Sequence, residues 1–260
     1  MELRDKVVVV TGGGSGIGKA LVTRFVAEGA RAVVAVDINQ EAAGQTARDA
    51  GCIAMTADVS CEEDVRRLIE QTESDVGPID LFCSNAGVAL GSDTNSPDSE
   101  WQTSWDVNVM SHVYASRHLL PRMRERGGGY FLITASAAGL LNQIGGAAYG
   151  TTKHAAVGFA EWLALTYAHE GIKVSVLCPQ AVRTPMVTTD LDNESARAAA
   201  TDGMMEPDAV ADFVADKLRD ETFLILPHSE VLEYMRRKAA DYDRWIAGMN
   251  RLCRKLGGMS

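Results

Sequence analysis

The chain has 260 residues, 46% of them apolar and 23% charged, so it can bury a large core without the help of disulfides or metals. Its 35 acidic and 25 basic residues leave a net charge of −10, which makes nucleic acid and anionic membrane surfaces poor partners. Five scattered cysteines (Cys52, Cys61, Cys83, Cys178, Cys253), with no C-x-x-C pair, argue against a disulfide framework or a zinc site and place the protein in reducing cytoplasm.

Met1 to Lys6 is charged, and the apolar run that follows is too short for a signal peptide or a membrane span. The β-branched run Lys6 to Thr11 predicts a strand ending in glycines. Ile17 to Glu28 has helical spacing and stops at Gly29. Strands are then predicted at Ala32–Asp37, Cys52–Ala57 and Ile79–Ser84, and helices at Gln40–Ala50 and Glu62–Asp75, with Gly77-Pro78 as a break. A long helix is predicted from Asp98 to Arg126, kinked or ended by Pro121. Tyr130–Ala135 and Lys173–Cys178 read as strands on either side of a helix from Ala148 to Glu170, and Phe223–Leu226 as the last strand. The strands are mostly apolar on both faces. Repeated βα units of this kind predict an α/β, doubly wound parallel sheet with helices on both faces, and ligands at the carboxyl ends of its strands.

No composition shift marks a second domain, so residues 1–260 are read as one dinucleotide-binding catalytic domain. The weakly periodic stretch Thr184 to Met205 reads as a mobile loop with a short helix, and 185–206 as a substrate loop. The 227–260 tail carries Leu232, Met235, Ala239, Tyr242, Ile246, Met249 and Leu252 at steps of three or four, an amphipathic helical stripe that would pack on its own subunit or on a neighbour.

Chemistry concentrates in two places. Thr11-Gly12-Gly13-Gly14-Ser15-Gly16-Ile17-Gly18 follows a strand and opens a helix, where free N–H groups and the positive end of the helix dipole suit a pyrophosphate. Asp37 ends the second strand at the spacing of a ribose-reading acid; its carboxylate would repel a 2′-phosphate, and neither Ser15, Ile38 nor Asn39 offers a cation, which favours NAD over NADP. Further on, Tyr149 and Lys153 stand one helical turn apart, so the ammonium is expected to lower the phenol pKa for proton transfer, with Ser136 reaching the same pocket after its strand. The five histidines (His112, His118, His154, His169, His228) have no metal-ligand spacing and read as surface or satisfied side chains; no metal is expected.

From Lys6 to Leu226 the order of these motifs resembles the compact, single-domain branch of the short-chain dehydrogenase/reductase family. The loop matches T-G-x-x-x-G-x-G, which implies cofactor contacts by Gly12, Ser15, Gly16, Ile17 and Gly18. Asp58-Val59 resembles the family's adenine-contacting pair, and Asn85-Ala86-Gly87 its groove-shaping N-A-G stretch. The resemblance implies that Asn108 holds a water near the catalytic lysine and that Ser136, Tyr149 and Lys153 are catalytic, with Lys153 also binding nicotinamide ribose. It implies that Pro179, Val182 and Thr184 line the nicotinamide, within a segment where Gln180 replaces the usual glycine. Gln180 then either narrows the pocket and bonds the substrate or points to solvent. Leu140, Gln143, Gln180 and Met186 are the candidate substrate contacts, though apolar residues at 140–144 and around 186–205 equally suit plain loop anchoring.

The resulting expectation is an NAD-dependent enzyme interconverting a secondary alcohol and a ketone, with no nucleic-acid or membrane partner. Family members are commonly dimers or tetramers, so a homo-oligomer, a homotetramer in particular, is implied. Two alternatives remain open at this point: an NADP-dependent carbonyl or acyl-thioester reductase, against which Asp37 argues, and a non-catalytic NAD-sensing module, which need not keep Ser136, Tyr149 and Lys153.

Overall fold

Val7–Thr11 forms β1, and every one of its five residues is buried. Its pleat sends successive side chains to opposite faces of a sheet covered on both sides, so β-branched residues at every position fit it. The computed structural model describes residues 1–188 and 203–256. Among the described residues six further strands join β1: β2 (Ala32–Asp37), β3 (Ile53–Thr56), β4 (Leu81–Ser84), β5 (Gly129–Thr134), β6 (Ile172–Leu177) and β7 (Leu224–Ile225). All pair in parallel, in the order β3-β2-β1-β4-β5-β6-β7. This is the doubly wound sheet the sequence predicts.

Helices α1 (Gly16–Ala27), α2 (Gln40–Ala50) and α3 (Glu62–Asp75) connect the first four strands. Val8, Val10, Val33 and Ala35 pack against Leu21 and Phe25 of α1 and against Val210, Val214 and Leu218 of α9 (Pro207–Arg219). Val9, Val34 and Val36 face the other way, onto Val65 and Ile69 of α3, Leu119 of α5 (Ser111–Glu125) and Ala156 and Ala160 of α7 (Ala147–Tyr167). The chain leaves β1 toward β2 and returns on its other side as β4. The connections after these two strands therefore diverge and open a crevice at their carboxyl ends.

Four expectations are corrected. β3 lies at the sheet edge and is largely exposed rather than apolar on both faces. The long helix departs from α geometry not at Pro121, which lies inside α5, but at a π segment, Asp106–Met110, between α4 (Asp98–Trp105) and α5. The helix predicted to Glu170 is α only to Tyr167, with a 3-10 turn over Ala168–Glu170. The tail stripe is split into α10 (Glu230–Ala240) and α11 (Tyr242–Lys255), because Asp241 is extended (φ −156°, ψ 94°) and its carboxylate caps the N–H of Arg244. Of the expected substrate loop, Pro185–Thr188 is a single helical turn (α8) and Met205 bridges Val182; residues 189–202 lie outside the described residues.

Candidate active site

A cleft of about 500 Å³ runs across the carboxyl ends of β1, β2, β4, β5 and β6. At one end stands the glycine turn. Gly12 and Gly16 have φ of +66° and +50°, where an L side chain would be strained. Ser15 leads into α1, whose first residues, Gly16, Ile17 and Gly18, all line the cleft. Gly18 has a different reason to be glycine: a Cβ there would lie 2.0 Å from the Gly12 carbonyl oxygen and 2.7 Å from Asn85 Nδ2. Gly18→Ala is accordingly expected to lower stability by about 2–3 kcal/mol, read as a shifted urea midpoint.

Asp37 ends β2 with its carboxylate fixed by two backbone donors, Gly14 N–H at 3.0 Å to Oδ2 and Asn39 N–H at 3.0 Å to Oδ1. Asp58 and Val59 line the cleft beyond it, and the Asp58 carboxylate accepts from the Ser60 N–H and hydroxyl. Among the described residues that line the cleft, Lys153 is the only cation. Asn85 ties three strand ends together. Its N–H donates to Thr11 Oγ1, its Nδ2 to Thr11 O, and its Oδ1 accepts from Thr134 Oγ1. Ala86 and Gly87 then pass along the cleft floor.

The polar cluster lies at the opposite end. Ser136, just past β5, is 7% exposed; its Oγ accepts from Ala138 N–H at 3.1 Å and faces Pro179 O at 3.4 Å. Tyr149 and Lys153 project from the first turns of α7. Lys153 is 3% exposed, its Nζ donating to Thr134 O at 3.0 Å. Burial pushes its pKa down to about 8. The expectation that this ammonium lowers the tyrosine pKa is corrected. Nζ lies over the Tyr149 ring, 5.7 Å from its centroid, and burial pushes the phenol up, opposed by a hydrogen bond with Ser136.

Asn108 sits within the π segment, fully buried behind the cleft wall. Its amide clamps the Val88 backbone at both N–H and C=O, 2.9 Å each, and donates to Thr152 Oγ1 at 3.1 Å, the residue beside Lys153. Pro179, Val182, Thr184 and Met186 line the cleft, as does Gln180, whose side-chain oxygen is buried rather than turned to solvent. Among the described residues the non-glycine ones with positive φ are Asp5, Asn142 and Glu221, so Gln180 is outside the left-handed region.

Leu140 and Gln143 are not brought to the cleft wall. Leu140, on the short helix α6 (Ala138–Leu141), instead packs against the cluster of Ala137, Leu141 and Val231, as do Leu226, Tyr234, Met235 and Trp245. Residues missed from sequence include Val88, Thr103 and Val107 on the cleft wall; the i, i+4 spacing of Thr103 and Val107 was the available signal. Gly139 was missed too. A Cβ there would meet Lys153 O at 2.5 Å, so only glycine lets α6 press onto the α7 backbone at the lysine. Two histidines are structural neighbours of the site: His112 bonds Ser84 at 2.6 Å and is driven to about 3 by burial, while His228 accepts from Gln180 N–H. Among the described residues no cluster of His, Cys, Asp or Glu converges to hold a metal, and no helix is long and apolar enough to cross a membrane.

Residues 6–195 match the family model described as short chain dehydrogenase. The chain is 36% identical over 255 residues (95% of it and 92% of the relative) to 1-deoxy-11-beta-hydroxypentalenate dehydrogenase of Streptomyces exfoliatus. It is 38% identical over 199 residues (75% and 79%) to 2,5-dichloro-2,5-cyclohexadiene-1,4-diol dehydrogenase of Sphingobium indicum. A crystal structure of a short chain dehydrogenase/reductase from Burkholderia phymatum in complex with NAD superposes with a TM-score of 0.86 at 28% identity, covering 94% of this chain and 96% of that one.

Proposed function

The chain belongs to the short chain dehydrogenase family of oxidoreductases, and on that premise we propose that it interconverts a secondary alcohol and a ketone with NAD, using Tyr149 as general acid and base. One observation carries this reading: Ser136, Tyr149 and Lys153 converge at one end of a cleft whose other end is the glycine turn and Asp37.

The residues present fit a dinucleotide. The glycine turn lines the cleft at the N-terminus of α1, where free N–H groups would meet a diphosphate, and Asp37 is held where it would accept hydrogen bonds from an adenosine ribose. The solved neighbour that holds NAD supports the same choice. NAD, when bound, supplies the hydride acceptor for oxidation. Tyr149 Oη takes the alcohol proton in oxidation and returns it in reduction, while the Ser136 hydroxyl orients the substrate oxygen. Lys153 would hold nicotinamide ribose hydroxyls, with its ammonium over the Tyr149 ring. Asn108 keeps the Val88 turn and Thr152 in register with that lysine.

Val88, Val107, Pro185, Met186 and Val187 give the cleft an apolar wall, which suits a hydrophobic substrate. A relative named for a cyclohexadiene diol supports a ring-borne alcohol. The exposed Trp162, Leu165, Tyr242 and Ile246 support assembly as a dimer or tetramer, and the buried free thiols Cys83 and Cys178 suit a cytoplasmic enzyme.

NADH formation across a panel of steroid, aliphatic, cyclic and aryl secondary alcohols tests the proposal. Turnover of none of them, with NAD still bound, would favour a sensing module. Asp37→Ala is expected to shift the kcat/KM ratio of NAD over NADP toward NADP by about tenfold or more, as removal of a charge repulsion worth about 1.4 kcal/mol would. A wild-type preference for NADP would overturn the cofactor assignment.

A further inference from the structure

The peptide unit joining Pro179 to Gln180 is gripped from both edges. Its carbonyl oxygen accepts from Ala137 N–H at 2.8 Å and faces the Ser136 hydroxyl at 3.4 Å. Its N–H donates to Nδ1 of His228 at 3.1 Å. A peptide is planar, so these two sets of contacts set one orientation: tilting the plane to suit one edge displaces the other. Because a backbone donor meets Nδ1, the histidine is in the tautomer that carries its proton on Nε2.

His228 is itself held. It is 7% exposed, and its carbonyl accepts the N–H of Val231, where the tail helices begin. Val231 is fully buried against Ala137 and Leu141, the residues that follow Ser136. Lys238, two turns further along α10, donates to Leu140 O at 2.6 Å. The tail thus reaches the serine from two directions: through α6, and through His228 and the Pro179–Gln180 peptide.

The geometry points to His228 as a positioning residue for Ser136, acting through the Pro179–Gln180 peptide, so that the C-terminal tail sets the orientation of the serine hydroxyl. This rests on the reading of Ser136 as the group that orients the substrate oxygen. The bond to the Gln180 N–H needs one hydrogen-bond acceptor at one place, a requirement that other side chains can meet or miss. Asparagine puts its Oδ1 close to the position of Nδ1. Glutamine carries its acceptor one bond further out, and leucine has none.

The test is a set of variants assayed with NAD and cyclohexanol, or with the fastest alcohol of the panel above. His228→Asn is expected to keep kcat within about threefold of wild type. His228→Gln and His228→Leu are expected to lose about tenfold or more in kcat, in line with the cost of a misplaced group at a reacting centre. The NAD dissociation constant should move less than about threefold, because the glycine turn and Asp37 hold the far end of the cofactor. In a double-mutant cycle, His228→Gln should cost little once Ser136 is alanine, since both changes remove the same orientation. Wild-type kcat in His228→Gln would overturn the proposal. So would an equal loss in His228→Asn and His228→Gln, or additive losses with Ser136→Ala. A harmless Ser136→Ala would instead remove the serine's role, and the proposal along with it. If His228→Leu does not fold, the asparagine–glutamine pair, both polar, carries the test.

Discussion

Tyr149→Phe is expected to lower kcat by about 10³–10⁴-fold while the NAD dissociation constant stays within about threefold of wild type. The substitution removes one oxygen from a ring that keeps its place on α7, so the dinucleotide cleft is unchanged. What is lost is the group that exchanges the substrate proton. The direction of its pKa sets the pH dependence. Burial pushes Tyr149 above the ordinary phenol value, and the hydrogen bond with Ser136 works against that. Near neutral pH the group is therefore a phenol, ready to donate. Carbonyl reduction should be fastest there and fall as pH rises, whereas alcohol oxidation needs the phenolate and should climb toward alkaline pH. Single-turnover and steady-state rates in both directions, with cofactor binding followed by NADH fluorescence, check each part. Activity within about tenfold of wild type in purified Tyr149→Phe would rule out the mechanism.

Lys153→Met is expected to remove activity to a similar extent, about 10³-fold, without lowering the stability of the cofactor-free protein. The lysine is nearly inaccessible, and its pKa of about 8 lies below the ordinary 10.5. A base whose pKa is depressed on folding destabilises the folded state wherever it is charged. The penalty is full below pH 8 and fades between 8 and 10.5. Its size is on the order of 3 kcal/mol. Methionine fills a similar volume without the charge, although Thr134 O loses its lysine donor, a cost of about 1 kcal/mol. The variant should thus unfold at equal or higher urea concentration at pH 7, and that advantage should shrink by pH 9. NAD binding should weaken by about tenfold through the missing ribose contact. A variant that is inactive, binds NAD normally and is less stable at pH 7 would contradict both the ribose role and the charge penalty. In wild type, this buried ammonium is a stability cost retained beside the tyrosine.

The amino-acid sequence by itself determined the sheet and the phosphate turn. β-branched residues on both faces of β1 and β2 admit only a buried parallel sheet, and strand-glycine-helix order is a local property of consecutive residues. The i, i+4 spacing of Tyr149 and Lys153 placed them on one side of a helix for the same reason. The direction of the tyrosine pKa was not legible, because helical spacing carries no information about desolvation or about whether an ammonium faces a ring or a hydroxyl. That Leu140 stands off the cleft lining was not legible, because following Ser136 in sequence does not say which way a four-residue helix turns its side chains. Gly139 and Gly18 must be glycine because a Cβ would collide with Lys153 O and Gly12 O, neighbours that exist only after helices and turns have docked. His228 reads in sequence as a lone histidine after the last strand. Only the parallel register that sets β7 beside β6 brings it to the Gln180 N–H, on the far edge of the peptide that Ser136 faces. Local spacing encodes what neighbouring residues present to a common surface; orientation, burial and charge environment come from segments distant in the chain, and those are settled by packing.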